Sequence, residues 1–509
     1  MDPDSAPAGA PAQRASVERP RPVLRLVALT DLSGTLEPCG CTSKPKGGVE
    51  RIAALVRELR ADGVPTDVVL AGNTFFGPAE VAGHGASPET AHGGKRVTDQ
   101  EAWKAEVIAQ ILGGLGTTLV APGVADRLAG GEQIDALVRT ALAGGAERQT
   151  PARWVAESVD EANVTTESAV ASLRARFKEA DPEGVRPWLL LTNGSRRFAK
   201  RLAEQIPGLD FVIMGGVDQV NASPPSQHGT AFVISGGRHG EGVLVVDVYL
   251  RDAAPFADWS DWSFAERHGA LAAQIAELRG KLRAWEAEGK AAKADLAERR
   301  AQLRALENEM ATLAIPASVR GNAFNARLVA MEKSRPGDPT VRDAMRTYDK
   351  RVNEHNRKVY ANALPAPVAA GHPTYVGSSA CASCHEPANT WWRTTKHGVA
   401  YKTLVDVNKE FNLSCVGCHV TGYGMPGGAT VTHNLGGELV DVGCETCHGP
   451  GSEHVAKPRM PGLARRDPAE TVCAGCHNKE HSDLFEFKAY RAMLIAPGHG
   501  APVAAPTNK

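Results

Sequence analysis

Between residues 23 and 251, short apolar runs alternate with longer segments of helical spacing. VLRLVALT (23–30), DVVLAG (67–72), TLVAPG (118–123), WLLLTNG (188–194), FVIMGG (211–216), AFVISGG (231–237) and VLVVDVYL (243–250) are β-rich, and several close on Gly or Asn. GGVERIAALVRELRADG (47–63), EAWKAEVIAQILGGLG (101–116) and EQIDALVRTALAGG (132–145) carry apolar residues at helical intervals between them. Strand and helix signals in alternation predict a layered α/β domain, taken as residues 23–255.

Beyond it, residues 256–365 shift to Ala, Glu, Lys, Arg and Leu. Leu271, Ile275, Leu278, Leu282 and Trp285 form an apolar seam, and the register resumes at Leu296, Leu303, Leu306, Met310 and Leu313, with Arg299 polar in the seam. One long helix with a coiled-coil stripe is expected, ending near Pro316. A second helix is expected to open at Asp338-Pro339, with Asp as cap and Pro in the first turn, and to present Val341, Met345, Tyr348, Val352 and Val359. Folded back on each other, the two make an antiparallel helical hairpin. Such a hairpin is either a spacer packed on its own chain or a docking arm through which copies of the chain form a homo-oligomer. A linker, LPAPVAAGHP (364–373), leads into a last segment, 366–509, that has little periodicity. The fold class is therefore multidomain: α/β layers, a helical hairpin, and a mostly helical or irregular C-terminal domain.

At 509 residues the chain exceeds one core, and 57 basic against 58 acidic residues offer no basic nucleic-acid surface. No apolar run reaches membrane-spanning length. Residues 1–22 are a Pro/Ala-rich tail without the basic and apolar regions of a signal peptide.

The chemistry is concentrated at the C-terminal end. CASCH (381–385), CVGCH (415–419), CETCH (444–448) and CAGCH (473–477) use eight of the ten cysteines. This is the attachment signature of c-type haem: two thiols add across the haem vinyl groups and the adjacent His binds the iron. Zinc ribbons built from CxxC pairs would not need a His after every second Cys. Four covalent c-type haems are therefore expected, attached through Cys381 and Cys384, Cys415 and Cys418, Cys444 and Cys447, and Cys473 and Cys476. His385, His419, His448 and His477 are the proximal ligands. His372, His397, His433, His454, His481 and His499 lie in or beside the segment as candidates for the opposite faces, with Met425, Met460 and Met493 as alternatives. Haem attachment implies an extracytoplasmic, periplasmic location. Export then requires a segment upstream, and the tail has the character of one that follows a lipoprotein's modified Cys, which would supply a lipid anchor.

The runs YVGSSACASCHEPANTWWRTTKHG, CVGCHVTGYG, VGCETCHGPGSEH and CAGCHNKEHSDLFEF resemble the tetrahaem cytochrome family typified by the electron acceptor of hydroxylamine oxidoreductase. The resemblance covers about a quarter of the chain. It implies close-packed haems, electron transfer with redox partner proteins, and distal ligation by His397 and His454. His499 and His481 compete for a third haem. His433 would fill the remaining position, or that iron stays five-coordinate and open to nitric oxide, nitrite or hydroxylamine.

The α/β domain resembles, over about 230 residues, the metallophosphoesterase domain of bacterial 5′-nucleotidases, through ALTDLSGTLEP, VLAGNTFFGP, LLLTNG, FVIMGGVD and AFVISGGRHGEGVLVVDV. It departs from that pattern at the metal ligands. Asp31 remains, but Ser33, Asn73 and Asn193 stand at a His, the bridging Asp and another His; PGVAD (122–126) replaces Asn-His-Glu/Asp, and GGVD (215–218) lacks both histidines. A two-metal centre needs those donors to activate water, so the expectation is a non-catalytic domain that binds or positions a partner. The protein then reads as an electron carrier. The other readings are a haem oxidoreductase acting on a small nitrogen or sulfur compound, and an active phosphohydrolase with a redox sensor domain. The remaining cysteines, Cys39 and Cys41, form a CxC pair just after the first strand: a loop staple, a redox pair or a soft-metal site.

Overall fold

The computed structural model describes residues 19–38, 45–77, 97–127, 130–146, 154–161, 164–181, 187–216, 221–252, 254–289, 293–316, 318–433, 437–478, 482 and 484–497. Cys39, Cys41, His481 and His499 lie outside them.

The elements, in chain order, are β1 (Leu24–Thr30), α1 (Val49–Arg60), β2 (Thr66–Gly72), α2 (Asp99–Gly114), β3 (Thr117–Pro122), α3 (Val124–Arg127), α4 (Gly131–Ala146), β4 (Val155–Asp160), α5 (Thr166–Ala180), β5 (Trp188–Asn193), α6 (Arg196–Gln205), β6 (Phe211–Gly215), β7 (Ser223–His228), β8 (Ala231–Ser235), β9 (Gly242–Tyr249), β10 (Ala257–Asp258), α7 (Asp261–Glu288), α8 (Lys293–Thr312), β11 (Ala323–Ala330) and α9 (Pro339–Val359). Short helical turns follow from Ser378 onward.

The strands form a six-stranded sheet, β10-β11-β9-β1-β2-β3, and a five-stranded sheet, β4-β5-β6-β8-β7. β1 explains the layering. Its residues alternate sides: Leu24, Leu26 and Ala28 enter the core between the two sheets, where they meet Leu189, Phe211 and Ile234. Val27 and Leu29 face an outer core filled by α1, α2, α4 and α9. Both faces are buried, so the strand reads as a continuous apolar run. The second sheet is covered on its far side by α5 and α6, through Phe177, Leu202 and Val212. The result is a helix–sheet–sheet–helix sandwich, the α/β class expected.

The helical region differs from expectation in three respects. The seam residues of 271–313 do not lie on one helix. α7 stops at Gly289, whose φ of 65° is left-handed and suits a residue without Cβ. α8 then runs back along α7, and Arg279–Glu307, Arg300–Glu286 and Arg267–Glu309 pair across the two. The antiparallel hairpin is thus formed within 261–312. Second, the helix opening at Asp338-Pro339 forms as expected, with Asp338 accepting from Val341 N. However, its Val341, Met345, Tyr348 and Val352 pack into the core of α1 and α2, and Val359 is exposed. Third, β11 returns to the first sheet and pairs antiparallel with β9 from Ala323↔Tyr249 to Ala330↔Gly242. The boundary expected at residue 255 is therefore crossed: β11 and α9 belong to the α/β sandwich and the α7–α8 hairpin is inserted into it. An apolar stripe specifies that a helix needs a partner without specifying which one. No helix of the described residues is long and apolar enough to cross a membrane.

Candidate haem sites

The C-terminal segment is tied together by one buried carboxylate. Glu445, inside the third motif, accepts hydrogen bonds from Val376, Gly377 and Gly451 backbone N–H groups. This places the third motif beside the first. Cys381 and Cys444 are neighbours, and so are Cys418 and Cys476, which brings the fourth motif beside the second. All eight described cysteines are thiols outside any disulfide, the form that addition to a vinyl group requires.

Three of the four motif histidines have Nδ1 held by the protein, as metal-ligating histidines usually do. His419 Nδ1 lies 2.7 Å from the Ala400 carbonyl, His448 Nδ1 2.6 Å from that of Arg465, and His477 Nδ1 3.1 Å from Ser482 Oγ. Two imidazoles on opposite faces of one iron, each bound at about 2 Å, stand roughly 6 Å apart between ring centres. His385 and His454 are 6.4 Å apart with planes inclined by 30°. His397 and His477 are 5.9 Å apart at 77°. Trp392 stacks on His397 and donates from its indole to the Val442 carbonyl, while Val442 N donates to the His397 carbonyl. Burial, then the neighbouring His477 and His419, hold His397 below its ordinary pKa, which favours the neutral imidazole a metal takes. These residues fit haem.

The remaining candidates separate. His433 sits in a turn, its N–H donating to Thr430 Oγ1, and that turn is fixed to the segment just after α9 by Thr430 Oγ1 donating to the Ala363 carbonyl. Met425, Met460 and Met493 are exposed.

At the positions of the α/β domain where the resemblance would place metal ligands, the side chains serve the backbone. Asp31 accepts from Asn73 N and Gly216 N; Asp126, fully buried, accepts from the N–H groups of Thr74, Phe75, Phe76 and Gly123. Asn73 Oδ1 accepts from Ala125 N, and Asn193 Nδ2 donates to the Ala121 and Pro122 carbonyls. Gly72 and Gly123 let these loops close: a Cβ on either would come within 2.2 Å of an Asp31 or Asn73 oxygen. Burial raises Asp31 to about 7 and Asp126 to about 6, against the opposing pull of their backbone donors. Among the described residues no three His, Cys, Asp or Glu gather as a metal site. This donor set does not fit a two-metal centre.

A third cluster had no signal in the sequence. Gln100 on α2 is buried and uses both ends of its amide. Its Nε2 donates to Asn412 Oδ1 and Ser414 Oγ, and its Oε1 accepts from Asn356 Nδ2 and Leu413 N. Thr98 caps α2 in a capping box with Glu101, which fixes the turn carrying Gln100. Lys409 pairs with Glu37 and lies 3.7 Å from Asp349. These contacts bolt the loop before CVGCH to the α/β sandwich. A lone Gln near a helix N-terminus reads as a surface residue, so no sequence pattern marks it.

Motif and ring pairing give this segment the donor set of covalent c-type haem. Residues 380–449 match the family described as cytochrome c554 and c-prime. The chain is 32% identical over 135 residues to cytochrome c-554 of Nitrosomonas europaea, an overlap of 20% of this chain and 57% of that protein. The chain thus spans just over half the length of this relative. Among solved structures it is similar to the sulfate thiohydrolase SoxB of Thermus thermophilus (13% identity, TM-score 0.38, 66% of this chain and 62% of that one). It is also similar to a 5′-nucleotidase precursor from the same organism (14% identity, TM-score 0.39, 68% of this chain and 61% of that one).

Proposed function

We propose that the protein is an extracytoplasmic electron-transfer cytochrome that carries four covalent c-type haems and exchanges electrons with partner proteins. Bound haem supplies one-electron redox chemistry. The observation that carries the reading is the pairing of His385 with His454 and of His397 with His477 at the spacing of two ligands on one iron. His454 is then the distal ligand of the first motif's haem and His397 that of the fourth. Two further distal ligands come from His433, His481 and His499, or one iron stays open. A periplasmic site follows from the way c-type haem is attached.

The α/β sandwich is a non-catalytic scaffold in this reading. Its carboxylates at the positions where the resemblance would place metal ligands are engaged by backbone donors, and the loops around them are held shut by that engagement. Reductive titration of the purified protein tests the proposal: four electrons enter per chain, and phosphatase turnover stays at background with added manganese. Uptake of fewer than four electrons, or metal-dependent turnover, would overturn it.

A further inference from the structure

The second motif differs from the other three in what surrounds it. Gln100 and Lys104 are one turn apart on α2 and therefore share a face. Gln100 grips residues 412–414, and Cys415 follows directly, its N–H donating to the Asn412 carbonyl. Burial is the largest influence on Lys104 and lowers its pKa, against the opposing pull of Glu101 and Cys415. From the other side, Lys409 bridges Glu37 and Asp349 and also acts on Cys415. Asn356 and Asn353 of α9 complete the seal, bonding the carbonyl and the N–H of Phe411. Gln100, Asp349, Asn356 and Asn412 are buried, and in such surroundings a charge is weakly screened and acts strongly at short range. Net charge and burial are two of the levers by which a protein sets a haem potential.

We propose that the α/β sandwich completes the second haem site and sets its reduction potential: α2 and α9 cover the Cys415 edge, and Lys409 and Glu37 are its charges. The inference rests on the reading that residues 415–419 hold a haem. It gives the sandwich a definite partner, a haem of its own chain, and makes the Cys415 edge an interior face of the relay. An ammonium near an iron favours the added electron and a carboxylate opposes it, so the two kinds of substitution shift one potential in opposite directions.

The test is a spectroelectrochemical titration of the full-length holoprotein, with haem counted in each variant by a pyridine assay. Lys409→Met lowers one of four midpoint potentials, Glu37→Gln raises the same one, and Lys409→Arg restores it; the other three stay put. Glu37 is partly exposed, so its variant reports even if Lys409→Met loses haem. Four haems with unchanged potentials in both variants, or shifts spread over all four haems, would overturn the proposal. Fewer than four haems in the unaltered protein would instead overturn the reading beneath it.

Discussion

His454→Ala converts the haem of the first motif from a six-coordinate to a five-coordinate iron. The ferrous variant takes up one equivalent of carbon monoxide per chain more than the unaltered protein, and electron paramagnetic resonance shows a new high-spin ferric signal. The reason is coordination number: an iron with imidazoles on both faces passes electrons but admits no further ligand until one departs. His385 keeps its covalent place beside Cys384 in the variant, so haem content is unchanged. His397→Ala has the same effect at the fourth motif, whose His477 lies 5.9 Å away, and the double variant gains two equivalents. Carbon monoxide uptake equal to the unaltered protein would show that these histidines are not distal ligands.

Asp126→Ala destabilises the α/β sandwich by about 4 kcal/mol or more, among the largest effects of a single substitution. The carboxylate holds four backbone N–H groups, from Thr74, Phe75, Phe76 and Gly123, in a position with no solvent exposure. Each buried donor left unpaired costs about 1–3 kcal/mol, with some recovered if water enters. The expected fall in melting temperature is roughly 10 °C, measured by calorimetry. Asp126→Asn retains an accepting oxygen and falls between. A variant that melts with the parent but loses a bound divalent metal would restore the phosphoesterase reading of this loop.

The legible parts of the sequence were those where a local pattern has one structural meaning. The apolar runs of β1, β2 and β5 are strands because both of their faces are buried, and Asp338-Pro339 starts a helix because cap and first turn are chemically specified at one place. CxxCH fixes haem attachment and one ligand by covalent geometry. Elsewhere the pattern was ambiguous in a physical sense. The seam from Leu271 to Leu313 is satisfied equally by a long helix with a distant partner and by two helices turned back at Gly289. β11 is separated from its partner β9 by the whole α7–α8 insertion, so nothing local announces their pairing. Distal ligation depends on the path of the chain between motifs: His454 lies 6.4 Å from His385 of the first motif, a closeness that no local pattern announces. The Gln100 side chain bonds residues more than 250 positions away in sequence, and no window of sequence contains both partners.

The central claim is that all four motifs carry haem. The intact mass of the purified protein, taken under denaturing conditions so that only covalent groups remain, tests it most directly. The account predicts a mass above that of the polypeptide by four haem groups, which falls to three when Cys444 and Cys447 are both replaced by alanine. An unaltered protein carrying three haems or fewer would contradict it.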